Sequence, residues 1–211
     1  MANPQHLDQL HQGTNSWNQW RLDCPGIIPD LSGANLDGMD LNRANLLLAN
    51  LTKANLSHAN LSRALLSGAN LNGCRLDCAN LSWAHLLGTH LQNSSLYGAN
   101  LRRAILNGGS LEGANLDRAN LTGAKLVLAK LNGAHLSHTT LNQAKLVRAN
   151  LTDANLSGAS LYEANLKAAV LDNATFQNTT MPNGTVSNSS AQPSDPFCFI
   201  IAANRWEPAM A

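Results

Sequence analysis

Residues Ala49-Asn50-Leu51-Thr52-Lys53-Ala54-Asn55-Leu56-Ser57-His58-Ala59-Asn60-Leu61 decide the fold, because a leucine at every fifth place with an alanine two places before it admits few backbones. The register extends far beyond this stretch. From Leu31 to Leu171 every fifth residue is leucine without a break, and Phe176 and Met181 continue the series. The position two before each is nearly always alanine, and its substitutes Met39, Cys74, Thr89, Ser94, Gly109 and Thr139 are small or slender. On an extended chain residues two apart share a face, so these leucines and alanines point the same way.

A straight strand cannot carry this pattern, since five is odd and successive leucines would alternate between faces. An α-helix fails too, because a step of five overshoots a full turn by about 140° and spreads the leucines around the cylinder. A corner in each pentapeptide resolves the conflict. Each repeat then supplies one short side, the chain coils, and all leucines face the axis.

The outward residues give the length of a coil, because neighbours in adjacent coils stack. Leu47, Leu87, Val127 and Val147 are separated by multiples of twenty, as are Leu65 and Ile105, Leu48 and Leu128, Arg43, Arg63 and Arg103, and Asp37, Asp77 and Asp117. A coil of twenty residues, or four pentapeptides, follows. The fold class expected is therefore all-β, a four-sided parallel β-helix of about seven coils and about 35 Å in length.

Runs such as Ala54-Asn55-Leu56-Ser57-His58 and Ala154-Asn155-Leu156-Ser157-Gly158 resemble the pentapeptide-repeat family. That resemblance implies a right-handed quadrilateral β-helix. The Trp17-Asn18-Gln19-Trp20-Arg21 segment and the Met181-Pro182-Asn183-Gly184-Thr185 ending resemble cyanobacterial members, which points by analogy to a regulator that binds protein. A quinolone-resistance branch of the family imitates duplex DNA and binds DNA gyrase through a negatively charged rod. The resemblance offers that as an alternative function, against which stand the outward Lys125, Lys130 and Lys145 and an unbroken register without loop insertions. A self-associating structural rod is a further alternative.

The ends of such a rod need covers, since open edges and an open apolar core invite association. Residues 1–29 are expected to form a helical N-terminal cap: Asn3 caps a helix starting at Pro4, Gly13 closes it, and Ser16 with Gln19 makes a capping-box pattern for a second helix carrying Trp17 and Trp20. The rod takes 30–182, the Asn-, Ser-, Gly- and Pro-rich segment 183–196 is read as a linker, and 197–211 as a tail with the apolar run Phe197-Cys198-Phe199-Ile200-Ile201. The tail is expected to fold back on the rod.

Composition narrows the functions. Only 13% of residues are charged and the net charge is +1, which argues against nucleic acid as partner and against acidic mimicry. No basic and apolar leader opens the chain and no run is long enough to span a membrane, so a cytoplasmic protein is expected. The four cysteines lack CxxC spacing, and no metal or other cofactor is expected. His58 and Cys78 fall in one column a coil apart, but nothing in the sequence supplies a third orienting residue or a pocket, so no catalytic residue is assigned. His135 and His138 share a side without further ligands.

One side stands out. It carries outward Leu47, Leu48, Leu65, Leu87, Ile105, Val127, Leu128 and Val147, where other sides hold mostly Asn, Ser, Thr, Asp or Gly. A strip of roughly 350 Å² is the size at which exposed apolar surface marks an interface, with a protein partner, a second copy of the chain or the chain's own tail as its cover. Beside it Arg43, Arg63, Trp83, Arg102 and Arg103 form a second candidate, a ladder in which Arg63 and Arg103 are expected to flank the Trp83 ring.

Overall fold

The computed structural model describes residues 1–188; the apolar run Phe197–Ile201 lies outside them. Helices α1 (Pro4–His11) and α2 (Thr14–Asp23) come first, and a short antiparallel hairpin of β1 (Thr179–Thr180) and β2 (Val186–Ser187) comes last. Between them every fifth residue bridges in parallel to the residue twenty places on, from Asp30 with Asn50 to Ser160 with Thr180. Twenty residues therefore make one coil, with one bridge on each of four sides. Each side is named below by one of its leucines: Leu36, Leu41, Leu46 and Leu51.

The backbone hydrogen bonds explain the repeat. A leucine amide such as Leu46 donates to Leu65 one coil on, the corner amide of Leu48 donates to Ser67, and the amide of Ala49 closes a turn on Leu46. The residue before each leucine donates to the coil behind, as Asn70 does to Ala49. The residue after each leucine has no such backbone partner. Asparagine before leucine supplies one from its side chain: the Asn55 Oδ1 accepts from the Ser57 amide, and Asn50, Asn60 and Asn120 do the same for Thr52, Ser62 and Thr122. The Ala-Asn-Leu triplet is thus a small residue for the crowded wall, a cap for an orphan amide and a core side chain.

Corners sit two residues after each leucine, and every one from Gly33 to Asn178 has positive φ. Positive φ in third place of a four-residue turn is the type II signature. Arg, Leu, His, Trp and Glu are among the residues held there, and no Val, Ile or Thr is, since branching at Cβ makes that conformation costlier still. Inside, leucines and alanines from Leu31 to Ala174 pack with Phe176 and Met181 as one continuous column. Polar substitutes in the alanine position find partners in the wall: Cys74, Thr89, Thr139 and Thr179 donate to the carbonyls of Leu51, Leu66, Leu116 and Leu156.

Helix α2 takes the place of a missing coil. Asp40, Arg43, Asn45 and Leu47 have no preceding coil on their side, and their carbonyls accept instead from Thr14, Asn18, Trp17 and Arg21 side chains. The amide of Asn45 donates to the Asn18 Oδ1. Trp17 and Leu10 are fully buried over the first leucines. Asn3 caps α1 by accepting from Gln5 and His6. The capping box does not form, because α2 begins at Thr14 with Gly13 as its N-cap and Gln19 turns to Asp23. An early start lets Thr14 reach Asp40. At the far end residues 183–188, the beginning of the segment expected as a linker, return along the last coil: the Met181 amide donates to Thr185, and Asn183 caps the Thr185 amide.

Candidate functional site

On the Leu46 side the bridge column runs Asn45, Leu65, His85, Ile105, Lys125, Lys145, Asn165. Asn or Asp is absent from five successive coils there, whereas the Leu41 column keeps Asp40, Asn60, Asn80, Asn100 and Asn120 in unbroken order. The amides that asparagine would cap are left over. Val127 finds a substitute in the Asn107 side chain one coil back, but among the described residues the amides of Ser67, Leu87, Asn107 and Val147 have no hydrogen-bond partner in the chain. Such amides occur on the other sides as well, at Asp77, Tyr97, Glu112 and Asn132 for example, but the lapse runs longest along this side.

The structure brings the proposed apolar residues to that one side and grades them. Leu48, Leu87 and Leu128 are 59%, 55% and 56% exposed, while Leu47, Leu65, Ile105, Val127 and Val147 are half-buried. They do not form an unbroken strip. His85 stands between Leu65 and Ile105, Asn107 between Leu87 and Val127, and Lys125 and Lys145 follow Ile105 in its column. Leu48 lies along the rod over Gly68, with its Cδ2 2.7 Å from where a Cβ there would sit, so the glycine makes room for the leucine.

Beside this side stands the corner ladder. The Arg103 guanidinium lies 4.8 Å from the centre of the Trp83 ring. Arg63 makes no such contact, so Trp83 is stacked from one direction rather than two. Two shallow clefts meet at this pair: one includes Ser82, Asn100 and Arg102, the other Ile105, Gly123 and Lys125. The second cleft joins the ladder to the apolar side, which the sequence treats as separate features.

Charge is sorted in a way the net value conceals. The Leu46 side carries Lys125, Lys145, Arg148 and Lys167 and no Asp or Glu. The Leu41 side carries Arg43, Arg63, Arg102 and Arg103, with Asp40 and Glu163 at its two ends. Most acids of the coils sit on the other two sides, as Asp37, Asp77, Asp117, Glu112, Asp153 and Asp172. The ion pairs among the described residues, His58 with Asp37 and Arg75 with Asp77, both lie on the Leu36 side.

His58 does have an orienting residue, since its Nδ1 is 3.1 Å from the Asp37 carboxylate on the same side of the adjacent coil. No hydrogen bond joins His58 to Cys78, and both are exposed. Among the described residues no cluster of three His, Cys, Asp or Glu is placed to hold a metal ion, and no helix is long and apolar enough to cross a membrane.

The family model for pentapeptide repeats matches in overlapping copies from residue 30 to residue 188. HetL, a pentapeptide repeat protein involved in heterocyst differentiation regulation from the cyanobacterium Nostoc sp. strain PCC 7120, is 32% identical over 75% of this chain and 90% of its own, with a TM-score of 0.38. Rfr23, a pentapeptide repeat protein from the cyanobacterium Cyanothece 51142, is 30% identical over 74% and 97%, with a TM-score of 0.29. QnrB1, a plasmid-mediated fluoroquinolone resistance protein, is 18% identical over 85% and 94%, with a TM-score of 0.43. No curated protein sequence matches the chain.

Proposed function

The chain belongs to the pentapeptide-repeat family, and from that footing we propose that it is a non-catalytic protein-binding scaffold or regulator that works through its Leu46 side. In this reading the rod is a right-handed quadrilateral β-helix of about seven coils, closed at one end by the helices of residues 1–29. The observation that supports it most is the five-coil lapse of asparagine, from Leu65 to Lys145. Asparagine caps such an amide in many coils of the other sides, and its longest lapse falls where Leu87 and Leu128 stand half in water. Neither choice helps the isolated rod, and both suit a surface that is covered in use.

The partner is a protein or a second copy of the chain. Imitation of DNA for binding to gyrase has less support, because such a surface needs outward acid, and Lys125, Lys145, Arg63, Arg102 and Arg103 give these two sides the opposite sign. Light scattering and affinity capture with Leu87→Asp plus Val127→Asp test the proposal. Loss of a captured partner, or of self-association, is expected. Full retention of both, with the coil intact by circular dichroism, would overturn it.

A further inference from the structure

We propose that the occupant of the Leu46 side is an acidic, leucine-bearing segment of a partner protein, laid along the rod so that its carboxylates meet the cations of this side and of the neighbouring ladder. This rests on the interaction face of the preceding section and adds the chemistry of what binds there. Three independent features converge. Lys125, Lys145, Arg148 and Lys167 share the side with no acid, and none of them has an ion-pair partner among the described residues. Arg103 stands across a cleft from Lys125, Arg102 lines the adjoining cleft, and the Trp83 ring holds the Arg103 guanidinium in place by stacking. The amides of Ser67, Leu87, Asn107 and Val147 have no partner among the described residues. Although other sides leave such amides too, at Asp77, Tyr97, Glu112 and Asn132 among others, this side offers the most of them, beside its cations, as donors to acceptor oxygens from outside.

A second copy of the chain fits poorly, since two Leu46 sides face to face would set lysine against lysine. A nucleic acid would satisfy the cations but leave Leu48, Leu87 and Leu128 against phosphates, and the acid on the opposite sides would repel the rest of a duplex. Glutamate or aspartate alternating with apolar anchors uses every group present.

The test uses the full chain and a fluorescent Glu-rich peptide interspersed with leucine, with two controls: the same peptide with Gln for Glu, and a short DNA duplex. Binding of the Glu peptide at least about tenfold tighter than the Gln peptide, and weakening with salt, is expected. Arg102→Glu with Arg103→Glu and Lys125→Glu should weaken it about tenfold or more, and Lys145→Gln with Arg148→Gln provides a milder pair should the first set disturb folding. Equal binding of Glu and Gln peptides, unchanged binding by both charge variants, or tighter binding of DNA would each overturn the proposal. Slow exchange of the Leu87 and Val147 amides in the free chain would overturn it too, by showing the side already covered. If Leu87→Asp with Val127→Asp abolishes capture while the charge variants do not, the apolar face stands and the acidic occupant falls.

Discussion

The indole N–H of Trp17 donates to the carbonyl of Asn45 across 2.8 Å, and the ring itself is fully buried over the first turn of the leucine column. One residue therefore combines two tasks of a preceding coil, filling the core and satisfying one carbonyl of the edge. Trp17→Phe keeps most of the plug and leaves Asn45 with an unsatisfied carbonyl, at a cost of about 1 kcal/mol; Trp17→Ala also opens the core and costs about 3–5 kcal/mol. Denaturant unfolding measures the difference. Trp17→Ala should in addition associate end to end in light scattering, because the open coil is a strand edge.

In the middle of the rod the wall is fixed from both directions by backbone bonds. The Leu106 amide donates to Lys125, and its carbonyl accepts from Gly109. A cavity left by Leu106→Ala cannot close by a shift of backbone, so the cost should reach about 2–5 kcal/mol. Conservative Leu106→Met should cost less than about 1.5 kcal/mol, and equal losses from the two in thermal denaturation would contradict a rigid wall.

The period of five, the coil of twenty and the inward leucines were all legible because each is a repeated decision, taken anew in every coil. What was not legible was local and asymmetric. Ser16 and Gln19 have the spelling of a capping box, yet α2 begins at Thr14 because Thr14 and Asn18 are needed on the edge at Asp40 and Arg43. The apolar residues of the Leu46 side were visible from spacing, but the meaning of His85 or Lys145 was not. Only the hydrogen bonds reveal that the residue before leucine caps an amide, and hence that its loss leaves something open. The basic pair of faces is readable from the sequence once charge is sorted by side, and the net charge of +1 conceals it.

Cys74 predicts a pH effect. It replaces alanine in the wall, donates to the Leu51 carbonyl, and burial pushes its thiol up to about 12 from an ordinary value of 9.0, outweighing the nearby amides of Ala54 and Lys53. The folded chain keeps this proton where the unfolded chain releases it. Stability from this source is therefore complete below about pH 9 and falls as the pH climbs toward 12. Cys74→Ala, which restores the usual residue of that position, should flatten the alkaline fall in melting temperature. Thiol labelling of the native protein at neutral pH should reach exposed Cys78 and spare Cys74.

His85→Asn and Lys145→Asn separate the needs of the fold from those of the face. Both residues are exposed, so little packing is lost, and each asparagine would cap the unpaired amide two places on, at Leu87 and Val147. Each cap should add about 0.5–1 kcal/mol, and together they should raise the melting temperature by about 2–8 °C. A substitution that repairs the repeat should at the same time damage the interaction, by filling donors and removing a cation that the partner uses. A double variant that melts higher and binds the Glu-rich peptide less tightly is the expected result. If it melts higher and binds as well as before, the lapse of asparagine on this side has nothing to do with recognition; if it melts lower, the amides of Leu87 and Val147 were not wanting a partner at all.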